Sequence, residues 1–265
     1  MKKLLIVTAI NDLSIPLFLT QQLQRRIDID FYFFHEGCDE LNKKLLSNSY
    51  DAIYIGYHFR FLNKKDFTKQ FKIILKNLKT AYIIDNLQTV DDVYFEDKWT
   101  QYQTFSEFMP KTRLLTNIKD ANNSNYITKE RISGRAEGIF FNAKNLDTTD
   151  LKKYILQNKI KITKEYRVYV IFDKIITKAT IRSSKTEHSK VKVIGDENIS
   201  PEMIKFINSI LTKNKFDFMG MDIAESTKNN FHLIEINRTC LFNGYFMRTG
   251  TNLAELLVDG LYKKI

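Results

Sequence analysis

The stretch from Phe216 to Asn237, FDFMGMDIAESTKNNFHLIEIN, constrains this chain more than any other. Two apolar runs flank a polar cluster, Ser226 to Asn230, the pattern of an antiparallel hairpin with its turn at the asparagines. Strand alternation puts Glu235 and Asn237 on one face and His232, Ile234 and Ile236 on the other. With the turn centred between Lys228 and Asn229, Asp222 lies opposite Glu235; a shift of one residue along both strands sets it opposite Asn237. Either register brings two carboxylates and an amide oxygen together. Hard oxygen donors on a rigid hairpin suit Mg²⁺ that also binds triphosphate oxygens. The plain alternative is a pair of solvated polar positions. Against it stand the apolar surroundings and the mutual repulsion of facing carboxylates.

Upstream, residues 3–9, 30–35, 51–57 and 80–85 are short runs rich in β-branched and aromatic residues and read as strands. Helical patterns lie between them at 14–26, 39–46 and 64–78. This alternation predicts a three-layer lobe with a parallel sheet over residues 1 to about 90. No G-x-G-x-x-G follows the first strand and no G-x-x-x-x-G-K-[ST] occurs, so neither a dinucleotide site nor a P-loop is supported.

From Glu96 the pattern changes. DKWTQYQTFSEF reads as a helix, Lys111 to Thr116 leads into a strand, and YITKERISGRAEGIFF reads as strand, loop and strand. Backbone amides of the loop Ser133 to Gly138 can line phosphates, with Lys129 as a point charge; an ordinary hairpin with solvated Arg131 and Arg135 is the alternative. A short helix is expected over 148–156. Next comes a second hairpin, 168–172 with 175–181, turning at Asp173-Lys174. Arg167 and Arg182 lie at its far ends and therefore near each other, placed to hold a carboxylate or phosphate, or else in surface ion pairs with Glu165 or Glu187. Ser200 and Pro201 open a helix. A glycine-containing loop, NRTCLFNGYFMRTG, follows the organising hairpin, and a last helix runs from about Asn252 to Tyr262.

The composition narrows the function classes. Hydrophobic residues make up 43% of the 265 and charged residues 27%, which describes a globular chain. MKKLLIVTAI has an apolar run too short for a secretion signal and no small-residue cleavage site, so it reads as a first strand. No run reaches membrane-spanning length. Cys38 and Cys240 have neither disulfide nor metal spacing, and the cytosol is the expected compartment. The net charge of +10 is spread along the chain and favours small anions or acidic peptides over nucleic acid. His35, His58, His188 and His232 are scattered, with no hydrolase constellation, and structural roles are expected for each. Cys240, close to the expected site, reads as a small half-buried residue, with a thioester role as the alternative.

The order of features resembles the ATP-grasp superfamily from about Ile84 to the C-terminus: Asp97-Lys98 opening a helix, Met109-Pro110-Lys111-Thr112, strand-Lys129-loop-Gly138-strand, Gln157 before a hinge, Arg167, Arg182, GMDI, EIN and TGTNLA. It is most similar to the branch of the ribosomal-protein glutamate ligase and the glutamate ligases of carrier proteins and peptide maturation. The resemblance implies an α/β fold. Residues 1–90 would form a parallel-sheet lobe and 91–265 a two-lobed ATP-grasp domain, with a small lobe over about 112–160 and a C-terminal lobe over 161–265. It implies a carboxylate-amine ligase that forms an amide through an acyl phosphate, using ATP and Mg²⁺ (or Mn²⁺), on an amino acid, peptide or carrier protein. By the same resemblance Asp222, Glu235 and Asn237 would bind metal. Lys98, Lys129 and the loop with Ser133, Gly134 and Gly138 would hold phosphates. Main-chain groups at Lys159 and Ile160, after Gln157, would take adenine, and Arg167 and Arg182 would face the transferred phosphoryl group. The chain departs from the family where glycines give way to Ser133 and Ala136 and where Arg238-Thr239-Cys240 follows the last ligand. A kinase on the same scaffold, or a peptide-binding module with little catalysis, are the rival functions. The sequence leaves the oligomeric state open, a homo-oligomer included.

Overall fold

The computed structural model describes residues 1–8, 12–33, 38–47, 49–56, 81–84, 97–133, 138–182, 192–238, 240 and 242–265. The expected helix at 64–78 and Gly134 lie outside them. Three sheets organise the rest.

The N-terminal sheet has the order β2 (Asp28–Phe33), β1 (Lys3–Thr8), β3 (Ala52–Ile55), β4 (Tyr82–Ile84), with parallel pairing throughout. Its strands are near-continuous apolar runs because helices cover parallel sheets. Of the described helices, α1 (Ile15–Leu23) and α2 (Cys38–Ser47) connect them.

The second sheet has the order β5 (Thr112–Leu114), β8 (Tyr154–Asn158), β6 (Tyr126–Glu130), β7 (Ile139–Phe140). Here the expected helix at 148–156 is corrected. Only a single 3₁₀ turn forms, at Leu151–Lys153, where Asp150 accepts from the Lys152 amide. Tyr154, Ile155 and Leu156 then enter the sheet between β5 and β6. Central-strand pairing outweighs the weak helical pattern of so short a segment. Tyr154 and Leu156 join Leu115, Ala121 and Leu146 in the core of this lobe.

The third sheet runs β12 (Val193–Asn198), β11 (Lys178–Arg182), β9 (Lys164–Ile171), β13 (Phe218–Thr227), β14 (Asn230–Arg238), and the short β10 (Lys174–Ile175) also pairs with β9. The turn after β9 falls at Phe172 and Asp173, both with positive φ, one residue earlier than expected. Two left-handed residues give the twist that a two-residue hairpin turn needs. One face packs on α4 (Pro201–Leu211), whose Met203, Ile207 and Ile210 meet Val168, Met219, Met221, Ile223, Leu233 and Ile236. At the start of α4 the Ser200 hydroxyl accepts from the Met203 amide at 3.2 Å. The segment 243–249, expected as loop, is the helix α5 (Asn243–Thr249), closed by Gly250 at φ 72°. The last helix, α6 (Leu253–Leu261), turns Leu253, Leu257 and Leu261 into the core.

The opposite face of this sheet is divided. Tyr169, Ile171 and Phe218 at one end are covered by Phe18 and Tyr54 of the N-terminal lobe and by Phe242, which follows β14. Phe242 stands edge-on to both Phe18 (5.6 Å) and Phe218 (5.7 Å). The other end of the same face carries the charged residues.

Candidate active site

Strand register builds that charged end. Asp222 pairs with Arg167 on β9 and with Glu235 on β14, while Thr180 on β11 pairs with Arg167 and Arg182 pairs with Glu165. Residues directly opposite in antiparallel strands share a face, so two adjacent rows form: Thr180, Arg167, Asp222, Glu235, and Arg182, Glu165, Ala224, His232. Asn237 lies opposite Gly220, in the next row. Of the two registers the sequence allows, the one placing Asp222 opposite Glu235 is realised.

A β-bulge changes one expectation. Asp222 faces Glu235 but Ile223 faces Leu233, leaving Ile234 as the extra residue. The insertion shifts the alternation: Phe231 and Leu233 now share the α4 core with Ile236, and His232 stands opposite Ala224, on the same face as Asp222. The expected placement of His232 with Ile236 is corrected accordingly. The His232 Nε2 lies 3.1 Å from the Ser226 hydroxyl, and burial lowers its pKa.

At the floor's centre the Asp222 carboxylate accepts from Arg167 Nε (2.5 Å) and Nη2 (3.0 Å) and from Arg182 Nη1 (2.6 Å). Both arginines expected near each other thus meet on one carboxylate. Burial opposes the Arg167 charge, but Asp222, followed by Cys240 and Tyr169, raises the guanidinium pKa well above its usual value. Gly220 makes this geometry available: a Cβ there would lie 2.7 Å from Cys240 Sγ and 2.8 Å from Arg167 Nη1. Cys240 is fully buried rather than half-buried, and desolvation raises its thiol pKa. Glu165 is also buried, with Arg182 Nη1 at 3.6 Å. That pair is no surface contact. Two residues before Arg167 in a strand, Glu165 must share its face, and alternation alone was enough to find it.

The helix α3 (Lys98–Phe105) brings the remaining charge. Asp97 caps it by accepting from the Trp99 amide at 2.9 Å, and the same carboxylate holds Arg131 Nε at 3.0 and 3.1 Å. Arg131, solvated in the ordinary-hairpin alternative, therefore ties the small lobe to this helix. Lys98 Nζ donates to the Ser133 carbonyl (3.0 Å) and hydroxyl (3.2 Å) and stands 3.6 Å from Glu235 Oε1. It bridges the phosphate-loop candidate and the carboxylate floor. At the loop's far end Gly138 has φ 71°, and its carbonyl accepts from the Glu130 amide at 2.7 Å.

A second group sits on the small-lobe sheet. Lys129 and Gln157 lie on the face opposite that lobe's core, and Lys129 Nζ donates to Gln157 Oε1 at 2.6 Å. Gln157 Nε2 in turn donates to the Thr112 hydroxyl at 3.1 Å. The Lys159 amide is taken by the Asn125 carbonyl at 2.8 Å. Ile160 follows directly, in the stretch linking β8 to β9.

No family model matches the chain, and neither does any curated protein. Solved structures do. The ATP-grasp ligase PsnB complexed with minimal precursor matches at TM-score 0.72 and 16% identity, over 100% of both chains. The chain has the ATP-grasp fold. The RiPP-associated ATP-grasp ligase of Chryseobacterium gregarium, in complex with ADP and a leader and core peptide, matches at TM-score 0.68 and 14% identity, covering 100% of this chain and 98% of that one. The macrocyclase MdnB of Microcystis aeruginosa MRC matches at 0.69 and 12%, over 98% and 99%. An N-terminal parallel sheet followed by two mainly antiparallel ones, as expected, is this ATP-grasp architecture.

The donors on the ATP-grasp floor fit a magnesium ion of particular habits. Among the described residues no three His, Cys, Asp or Glu side chains gather to hold a metal. A cation at Asp222 and Glu235 would complete its shell with the Asn237 amide, water and substrate oxygens, as Mg²⁺ does. Among the described residues the buried amide nitrogen of Asn237 has no hydrogen-bond partner; turning the amide over places its oxygen there instead. Charge adds a condition. The anions Asp222, Glu235 and Glu165 already stand against the cations Lys98, Arg167 and Arg182, so a dication would be attracted chiefly when it arrives with a polyanion.

Proposed function

We propose that this chain is an ATP-dependent ligase that joins a carboxylate to an amine through an acyl phosphate, acting on a peptide. The observation that carries the reading is the convergence of Lys98, Arg167 and Arg182 with Asp222, Glu235 and Asn237 on one sheet face, reached by a small-lobe loop. Residues 1–90 serve as the preceding lobe and 91–265 as the ATP-grasp domain, in the reducing cytosol.

Asp222, Glu235 and Asn237 would hold Mg²⁺ (or Mn²⁺), which when bound draws negative charge off the phosphoryl oxygens. Lys98 and the loop from Ser133 to Gly138 would cover the phosphates, and Lys129 and Gln157 would reach the nucleotide from the small-lobe sheet. Arg167 and Arg182, oriented by Asp222, offer guanidinium N–H groups to the oxygens of the transferred group. A substrate carboxylate oxygen attacks the γ-phosphorus and ADP leaves. The amine nitrogen then attacks the acyl carbon, phosphate leaves, and the amide remains. The protein's part is positioning and charge neutralisation, which suffices for phosphoryl transfer. The peptide class is supported by the neighbours, whose complexes hold precursor, leader or core peptides, and by the net charge of +10, which favours acidic segments.

ADP release should be assayed against amino acids, acidic peptides and carrier proteins. The expected result is ADP formation that requires both a peptide carboxylate and an amine, with a product one water lighter than its reactants. A stable phosphorylated product without any amine requirement would replace the ligase by a kinase.

A further inference from the structure

Among the described residues β14 is an edge strand of its sheet, and an edge strand offers outward N–H and C=O groups that need partners. Gln101, a fully buried residue of α3, supplies them at one residue. Its Nε2 donates to the Ile236 carbonyl at 2.9 Å and its Oε1 accepts from the Ile236 amide at 2.8 Å. The side-chain amide thereby stands in for the missing next strand. On the far side of the bulge, the Leu233 amide donates to the Phe108 carbonyl at 2.8 Å. The two outward amide bonds, at Leu233 and Ile236, are three residues apart because Ile234 is inserted between them.

The place of this clamp matters. The Ile236 amide belongs to the peptide plane shared with Glu235, and its carbonyl to the plane shared with Asn237. Fixing both planes fixes the backbone from which both side chains project, next to a bulge where an edge strand is otherwise most deformable. Lys98, three residues earlier on the same helix, faces Glu235.

We propose that Gln101 is a positioning residue that sets Glu235 and Asn237 for the metal-nucleotide complex without touching it. The proposal rests on the reading of those two residues as metal ligands. Only a carboxamide does this task. An ionised glutamate accepts but cannot donate and repels the Ile236 carbonyl, whereas methionine keeps the length and leaves two buried backbone groups unpaired.

The test compares Gln101→Met and Gln101→Glu with the parent, titrating ADP with and without Mg²⁺ by calorimetry. Met203→Ala on α4 serves as a control for general loss of stability. The expected result is an affinity for MgADP at least tenfold weaker in both Gln101 variants, unchanged affinity for ADP alone, and parental MgADP affinity in the control. Parental MgADP affinity in folded Gln101 variants overturns the proposal, as does an equal loss in the control. A parent that binds ADP equally with and without Mg²⁺ sinks the metal-site reading instead. If neither variant folds, hydrogen exchange in the parent decides. An Ile236 amide protected without nucleotide supports a prebuilt clamp; one protected only after MgADP is added overturns it.

Discussion

Glu235→Gln is expected to cut ADP release at least a hundredfold, roughly 3 kcal/mol of transition-state stabilisation, while the melting temperature stays near the parental value. The substitution keeps the side chain's size and removes one negative charge from the metal floor. Its ion pair with Lys98 is loose, at 3.6 Å, and Lys98 keeps its bonds to Ser133 when that charge is removed. Steady-state ADP release measured beside a thermal melt checks both halves. Parental turnover would remove Glu235 from the metal set.

Asp222→Asn is expected to lose as much activity and, unlike the Glu235 change, to lose stability. Asp222 is the anion on which two guanidinium groups converge inside the protein. Without its charge Arg167 is a buried cation lacking compensation, and breaking such a pair from one side typically removes about 3–5 kcal/mol. For a chain of this size that corresponds to a drop in melting temperature of roughly 10 °C. Thermal unfolding of the two variants side by side separates the roles: Glu235 serves the bound cation, Asp222 both the cation and the fold. A variant at Asp222 as stable as the parent would show that the arginines do not depend on it.

The organising hairpin was legible because a polar turn and two apolar runs leave few registers, and Asp222 does face Glu235. The parallel N-terminal sheet was legible for a similar reason, its apolar runs alternating with amphipathic segments. The bulge at Ile234 left no trace, since one inserted residue hardly disturbs the hydrophobic pattern yet reverses every facing before it; His232 was misplaced by that alone. β8 was hidden because its strand character comes from neighbours on both sides, supplied by segments distant in sequence, from Glu130 opposite Tyr154 to Thr112 opposite Gln157. The helix α5 was hidden among glycines, one of which, Gly250, in fact terminates it. In the site, Lys98 enters only through the family resemblance, whereas Asp222, Glu235, Arg167 and Arg182 stood out by type and spacing. Gln101 did not, because a neutral side chain inside an aromatic helix signals nothing until its partner strand is in place.

The most direct measurement is calorimetric titration of ADP into the parent and into Glu235→Gln, each with and without Mg²⁺, together with Mg²⁺ alone. With the floor's charges already balanced, Mg²⁺ alone should give no binding, Mg²⁺ should tighten ADP binding in the parent, and that gain should vanish in Glu235→Gln. Tight binding of Mg²⁺ by itself, or the same magnesium-dependent gain in the variant, would contradict the account.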